Sequence, residues 1–483
     1  MKKSNLDKSS TRYKEGTRTI ITFVFIAVLF LSVALYITFL GVFKAEEYMN
    51  HPANQRQWLA EQSTLRGDIT DRNGEVLAYS TKDENSQQSR KYKYPELFAH
   101  IIGYSSKVYG KSQLELTYNK NLAGLSEMSD IADITGAFAD EKKGDTVQLT
   151  ISCPLQKRAK ELMGNRNGAV VAMDPKTGEI LCMVSNPTFN TNAEYLSKNW
   201  QRLSEMEDAP FLNRAVSGLY PPGSVIKTII LSAALENGLA GEIINDEGSI
   251  EVNGTTFPNT KNKAYGELDI EKAYNVSSNV AFINLGIKLG GETVKKYYEK
   301  FGIGKSFEFD LPMYKSQFGY KEEMKDDEVA LASIGQGNVL VTPLQMAMMV
   351  STIANDGVTI NPYLVKKVTN STGVPVKNGN GGNGNRAIKA STAKTVKEYM
   401  VSTVKTGTAG RAAVRGIDVA GKTGTAENEK EGREHAWFVG FAPADDPQIA
   451  IAVVLEYNGG TGGGNSAPIA SELFNYWINY LNK

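Results

Sequence analysis

The sequence predicts an α+β fold, one antiparallel sheet covered by helices, carried behind an N-terminal transmembrane helix and a small pedestal domain. Three observations predict it. Residues 19–43 form an uncharged apolar run, residues 44–145 are polar and irregular, and residues 146–483 carry strand-like pairs near both ends with long helical patterns between. Strands at both ends of one region close a single sheet when they pair with each other, and the intervening helices then cover its faces.

The chain of 483 residues is too long for one ordinary core and suits roughly two or three domains. Its 53 basic and 53 acidic residues cancel, so nothing in the charge points to nucleic acid as a partner. Two cysteines and three histidines favour neither a disulfide scaffold nor a histidine-rich metal site. Cys153 and Cys182 can pair only if both lie outside the cytoplasm, and a core of this size needs no such staple.

From Thr19 to Phe43 the run is dominated by Ile, Leu, Val, Phe and Ala. As a helix rising ~1.5 Å per residue it spans a hydrocarbon core of ~30 Å. Lys2, Lys3, Lys8, Arg12, Lys14 and Arg18 precede it, against Asp7 and Glu15. The positive-inside rule therefore expects residues 1–18 in the cytoplasm and everything after Phe43 outside, with a single pass through the cell membrane. The alternative is a cleaved secretion signal, but the run exceeds a signal core and no small-x-small site ends it.

Residues 44–145 read as a stalk or pedestal. Arg66-Gly67-Asp68-Ile69-Thr70-Asp71-Arg72-Asn73-Gly74 is turn-rich, and Glu75–Ala78 suits a short strand. His100–Tyr104 suggests another strand, followed by a turn at Tyr109–Lys111. Texture changes near Gly144. Thr146–Ile151 alternates as a strand does, and Pro154 opens a helical stretch to about Met163. Ala169–Asp174 and Glu179–Val184 flank Pro175-Lys176-Thr177-Gly178 and form a hairpin. A second strand pair is expected at His435–Phe441 and Gln448–Glu456, with its turn between Pro443 and Pro447. Helical patterns occupy 224–237, 269–289 and 342–355. The Asn/Gly-rich segments Lys377–Arg386 and Asn458–Asn465 are expected to be flexible surface loops.

In Tyr220-Pro221-Pro222-Gly223-Ser224-Val225-Ile226-Lys227, two prolines and a glycine stop any preceding helix and Ser224 starts an apolar helical run. Ser224 thereby meets unpaired backbone N–H groups, with Lys227 one turn on along the same face. An ammonium in apolar surroundings loses proton affinity, so Lys227 can take the proton of Ser224 and make it a nucleophile. Ser-x-x-Lys alone is as well read as an N-cap beside a surface lysine. In Asn275-Val276-Ser277-Ser278-Asn279, at the junction of two helical patterns, Ser277 suits a proton relay and Asn279 a hold on a substrate amide. Alone, that cluster reads equally as caps and turns. In Ala420-Gly421-Lys422-Thr423-Gly424-Thr425-Ala426, Lys422 supplies positive potential, Thr423 and Thr425 grip a carboxylate, and Gly424 lets a substrate backbone approach. The same tetrapeptide occurs earlier as Lys405-Thr406-Gly407-Thr408, where it ends a helical stretch over Thr392–Thr403 with Gly407 as the stop. The catalytic role is assigned to the second copy. His435 reads as a strand-edge residue and Trp437 as core.

Three boxes in this order, Ser-x-x-Lys, Ser-x-Asn and Lys-Thr-Gly, resemble the signature of acyl-serine transferases that react with penicillin. The chain resembles class B penicillin-binding proteins beyond the boxes. Residues Arg66–Gly74 look like that family's pedestal motif, and Ile334-Gly335-Gln336-Gly337 with Val341-Thr342-Pro343-Leu344-Gln345-Met346-Ala347 looks like its helix entry. The short pedestal is similar to that of the compact penicillin-binding protein A subgroup. The resemblance implies the penicilloyl serine transferase fold over residues 146–483 and acylation of Ser224 by a D-Ala–D-Ala stem peptide. It also implies transfer to a neighbouring stem's amine, an oxyanion hole from the N–H groups of Ser224 and Thr425, and stalling by β-lactams. It implies no cofactor, and it expects glycan polymerisation from a partner, a polytopic membrane glycosyltransferase. Same-class alternatives are a D,D-carboxypeptidase and a β-lactamase. A different class, a non-catalytic β-lactam sensor or scaffold, is opposed by intact Ser224, Lys227, Ser277, Asn279 and Lys422.

Overall fold

The computed structural model describes residues 4–44, 61, 64–84, 88–125, 143–320, 323–426, 434–457 and 459–482. The chain divides into two compact units, Met1–Ala60 with Ser106–Gly110, and Glu61–Ser105 with Lys111–Lys483. The first contains a helix, Ser4–Phe39, continued by a wider turn over Leu40–Lys44. Its Arg18–Lys44 stretch is long and apolar enough to cross a membrane. The hydroxyls of Thr22, Ser32 and Thr38 donate to carbonyls one turn back, so the helix satisfies them internally, as hydrocarbon requires. Lys2 and Lys3, on which part of the orientation rests, lie outside the described residues.

The second unit is built on a five-stranded antiparallel sheet of β1 (Gly168–Met173), β2 (Ile180–Asn186), β3 (Ala420–Ala426), β4 (His435–Ala442) and β5 (Ile449–Leu455), in the order β3-β4-β5-β1-β2. Both expected hairpins form, and β5 pairs with β1, so the two ends of the region close one sheet. Around it lie helices α1 (Lys227–Glu236), α2 (Ile270–Val276), α3 (Asn279–Leu289), α4 (Pro343–Ala354), α5 (Ala390–Thr406) and α6 (Gly462–Tyr476). Successive strand residues point to opposite faces. Val170, Leu181, Phe438 and Ile451 therefore join a core with α6 and the Cys153–Met163 helix, whereas Val171, Met183, Val439 and Ala452 join the core containing α4. Both faces are covered, which is why the strands read as unbroken apolar runs.

A second sheet carries the pedestal. Its order is Pro375–Asn378, Val365–Thr369, Thr146–Leu149, Ile69–Thr70, Val76–Lys82, Gln88–Tyr92. Strands from before residue 145 and from after it thus share one hydrogen-bonded ladder. Arg66 and Arg90 converge on the buried Glu115 at 2.6 and 2.7 Å. Burial pushes the Glu115 carboxyl up, but the two guanidiniums outweigh it and hold it below the usual range. Asp71 caps its own turn and accepts from the N–H of Cys153 at 3.2 Å, while Arg72 bonds Glu179 at 3.1 Å. Arg66–Gly74 is therefore a joint between pedestal and sheet.

Three expectations change. His100–Tyr104 is not a strand: residues 95–102 wind into turns with N–H groups bonded three or four residues back, burying Phe98, Ile101 and Ile102 at helical spacing. The junction expected at Asn275–Asn279 is made by Ser277, which adopts the left-handed conformation (φ 60°) between α2 and α3. The Asn/Gly-rich segments are structured. Pro375–Asn378 and Asn383–Arg386 are strands. α6 begins at Gly462 with Thr461 accepting from the N–H of Gly464 at 3.1 Å. A side chain at Gly462 would sit 2.0 Å from the Trp437 carbonyl oxygen, so only glycine lets that turn reach the sheet. Cys153 and Cys182, left open above, are both free thiols and buried.

Candidate active site

The nucleophile turn is pinned residue by residue. Tyr220 exchanges backbone hydrogen bonds with Val341, the Pro221 carbonyl accepts from Trp437 Nε1 at 3.0 Å, and the Gly223 N–H donates to the Gly335 carbonyl at 2.9 Å. Gly223 (φ 55°) and Gly335 (φ 74°) meet backbone to backbone, since a side chain on Gly335 would lie 2.3 Å from the Gly223 carbonyl oxygen. Gly223–Ile226 forms a single 3-10 turn before α1, so Ser224 sits half-buried in a tight turn rather than in the helix itself.

Behind the turn lie two fully buried lysines. Lys227 Nζ donates to the Ser277 carbonyl at 2.9 Å and to Asn279 Oδ1 at 2.7 Å, and stands 3.4 Å from Ser277 Oγ. Lys422 Nζ donates to Ser277 Oγ at 2.9 Å and to the Thr423 carbonyl at 3.0 Å. One hydroxyl therefore lies between two amines. Burial, and then the neighbouring Lys422, push Lys227 well below its ordinary range, with Asp246 opposing. Burial alone brings Lys422 down to about 7. Two such close amines share their protons as a pair. When Lys227 is neutral, its two N–H bonds are used by Ser277 and Asn279, and its lone pair is free to accept.

β3 is an edge strand and lies along the nucleophile turn. A side chain on Gly223 would come within 2.6 Å of the Thr425 carbonyl oxygen, so the serine turn and β3 meet backbone to backbone beside Ser224 and Thr425. Gly424 faces that turn too: a side chain there would meet Val225, the Pro222 carbonyl and Trp437 at 3.0–3.2 Å. Gly424 thus leaves the serine turn close to β3, where a side chain would be tight. Thr425 is exposed, and Thr423 Oγ1 bonds Thr408 Oγ1 at 2.8 Å. Lys405, from the earlier tetrapeptide, is on the surface, 2.9 Å from Asp418.

Hydrogen bonds thus link Lys227, Ser277, Asn279, Lys422 and Thr423, and the Ser224 turn packs against β3 at Gly424 and Thr425. Sequence reasoning missed three contributors. Thr408, in the discarded copy, lends its hydroxyl to Thr423. Asn259 accepts from the N–H groups of Asn279 and Val280 at 2.7 and 3.2 Å, and Gly335 buttresses the serine turn. Only Gly335 left a signal, its place in Ile334–Gly337. His435 opens β4 buried between the rings of Tyr220 and Tyr457, and Trp437 is fully buried.

A serine in a pinned turn, a low-basicity amine one turn on, and a strand edge beside both define an acyl-serine transferase. Comparison with known proteins gives the particular kind. The chain belongs to the penicillin-binding protein transpeptidase family: residues 168–475 match "Penicillin binding protein transpeptidase domain", and residues 66–147 match "Penicillin binding protein A dimerisation domain". It is 33% identical over 459 residues to the peptidoglycan D,D-transpeptidase PbpA of Mycobacterium tuberculosis, covering 89% of this chain and 93% of that one. The PbpA of Mycolicibacterium smegmatis is 32% identical over 454 residues, covering 89% and 92%. Among solved structures, the ceftriaxone acyl-enzyme complex of M. tuberculosis penicillin-binding protein A matches with a TM-score of 0.83 at 31% identity, covering 87% of this chain and all of that one.

Proposed function

We infer that this chain is a serine D,D-transpeptidase that cross-links peptidoglycan stem peptides and is inhibited by β-lactams. The observation that carries the assignment is the buried, proton-poor Lys227 one turn from Ser224 and bonded across to Ser277 and Asn279. Neutral Lys227 removes the Ser224 proton, and Oγ attacks the penultimate D-Ala carbonyl of a stem peptide. The oxyanion forms between the N–H groups of Ser224 and Thr425, each donor contributing about 3 kcal/mol. Ser277, bonded to Lys422 at 2.9 Å, passes a proton to the departing D-alanine amine and is reprotonated from the lysines. A second stem's amine then attacks the ester and returns Ser224 to its hydroxyl. Lys422, Thr423 and Thr425 receive the terminal carboxylate, and Asn279 holds the substrate amide. Both transfers conserve electrons, so the chemistry calls for no cofactor. A β-lactam enters the first step, as ceftriaxone does in the M. tuberculosis relative, and stalls at the ester.

The membrane reading follows from Arg18–Lys44. Basic residues before it favour a cytoplasmic N-terminus, residues 44–145 as pedestal, and residues 146–483 as an extracytoplasmic transpeptidase domain. Glycan polymerisation falls to a polytopic membrane glycosyltransferase partner, which the apolar helix is suited to meet within the bilayer. A stem pentapeptide offered with an amine acceptor tests the assignment. Cross-linked dimer is expected, and release of D-Ala without dimer would make the protein a D,D-carboxypeptidase.

A further inference from the structure

Asp246 ends the strand Ile243–Asp246, is 1% exposed, and forms no ion pair among the described residues. Its carboxylate instead accepts from Ser278 Oγ at 2.5 Å, from Asn259 Nδ2 at 2.7 and 2.9 Å, and from the Gly248 N–H at 2.9 Å. A buried charge persists only where such donors replace its hydration. These donors lead straight to the site. Asn259 Oδ1 accepts from the Asn279 N–H at 2.7 Å, and Asn279 Oδ1 accepts from Lys227 Nζ at 2.7 Å. Asn279 thus meets the general base with its side chain and, through its backbone N–H, Asn259, whose amide reaches the buried carboxylate. The second arm, Ser278, adjoins the left-handed Ser277, and its oxygen also caps α3 by accepting from the Ala281 N–H at 2.9 Å.

We propose that Asp246 is a positioning residue for acyl transfer: through Asn259 and Ser278 its carboxylate fixes the Ser277–Asn279 loop and so the acceptors that orient Lys227. The proposal rests on the transpeptidase reading above. Its electrostatic consequence has a definite sign. Lys227 faces Lys422 from β3 and lies over the Phe282 ring of α3 at 5.6 Å, Lys422 lies over the Tyr274 ring of α2 at 5.5 Å, and Asp246, which faces Tyr265, is the acidic group acting on Lys227. Removing the Asp246 charge weakens the hold of Lys227 on its proton, so the neutral base survives to lower pH.

The test uses full-length protein in detergent, a fluorescent penicillin, and acylation rates measured from mildly acidic to mildly basic pH. Asp246→Asn is expected to lower the neutral-pH rate on the order of 10–100-fold and to move the acid limb to lower pH. An unchanged rate, or a lowered rate with the limb unmoved, would overturn the proposal. Should Asp246→Asn not fold, Ser278→Ala keeps the charge and removes one arm. It is expected to slow acylation with the limb in place, and wild-type acylation would overturn the proposal equally. Ser224→Ala is run beside them: a label surviving that change sinks the transpeptidase reading, whereas its loss beside a normal Asp246→Asn sinks only this inference.

Discussion

Lys227 and Lys422 are both fully buried and both bonded to Ser277, while Lys405 repeats the sequence setting of Lys422 and sits in water. Burial separates them, because removing water penalises the ammonium and not the amine. Lys422→Ala is therefore expected to abolish labelling by a fluorescent penicillin and Lys405→Ala to leave it unchanged; the reverse would move the catalytic role to the earlier copy. Depressed basicity also affects stability. Lys422 binds its proton more tightly unfolded, where its ordinary value is 10.5, than folded, at about 7. Between those values the unfolded state carries more protons, so stability rises with pH over that window. Lys422→Met is expected to flatten this rise in thermal melts taken from pH about 7 to about 10.

At the scale of elements, the site depends on backbones meeting where side chains are absent. Gly335→Ala would drive a carbon into the Gly223 carbonyl and displace Ser224. A shift of about 1 Å costs on the order of 100-fold in rate, so acylation is expected to fall by that order. Gly416→Ala, at a similar positive φ but with nothing within 4 Å, is the control and should acylate normally. The hairpins, the closing of both ends into one sheet and the three boxes were legible because apolar runs, turn residues and motif spacing are local signals. The helix start at Gly462 and the roles of Asn259 and Thr408 were not, because long-range partners decide them. Thr461 and the Trp437 carbonyl turn a glycine run into a helix, and no local pattern at Thr408 signals its bond to Thr423. His100–Tyr104 misled because a short apolar run reads the same as a strand or as a tight turn.

For the whole molecule, the ion cluster at Glu115 ties Arg66 to Arg90 in the interior, and its contribution depends on acid. Its folded value lies below the ordinary 4.5, so its stabilisation is fully present above that value and is lost as pH falls through the lower folded one. Glu115→Gln leaves two buried guanidiniums without a counter-charge and is expected to cost about 3–5 kcal/mol at pH 7. The same substitution should matter far less under strongly acidic conditions, and denaturant titrations at both pH values measure the difference.

The ladder that places Thr146–Leu149 between Ile69–Thr70 and Val365–Thr369 sets a timetable for maturation. A polypeptide made from its N-terminus delivers its early strands long before residue 365 is added, so an open ladder waits without its neighbour. Maturation is then expected to be late and all at once, with protease resistance of the early segment appearing only in nascent chains extended past residue 369. Truncated chains ending before that point should remain cleavable, and that is the measurement that checks it.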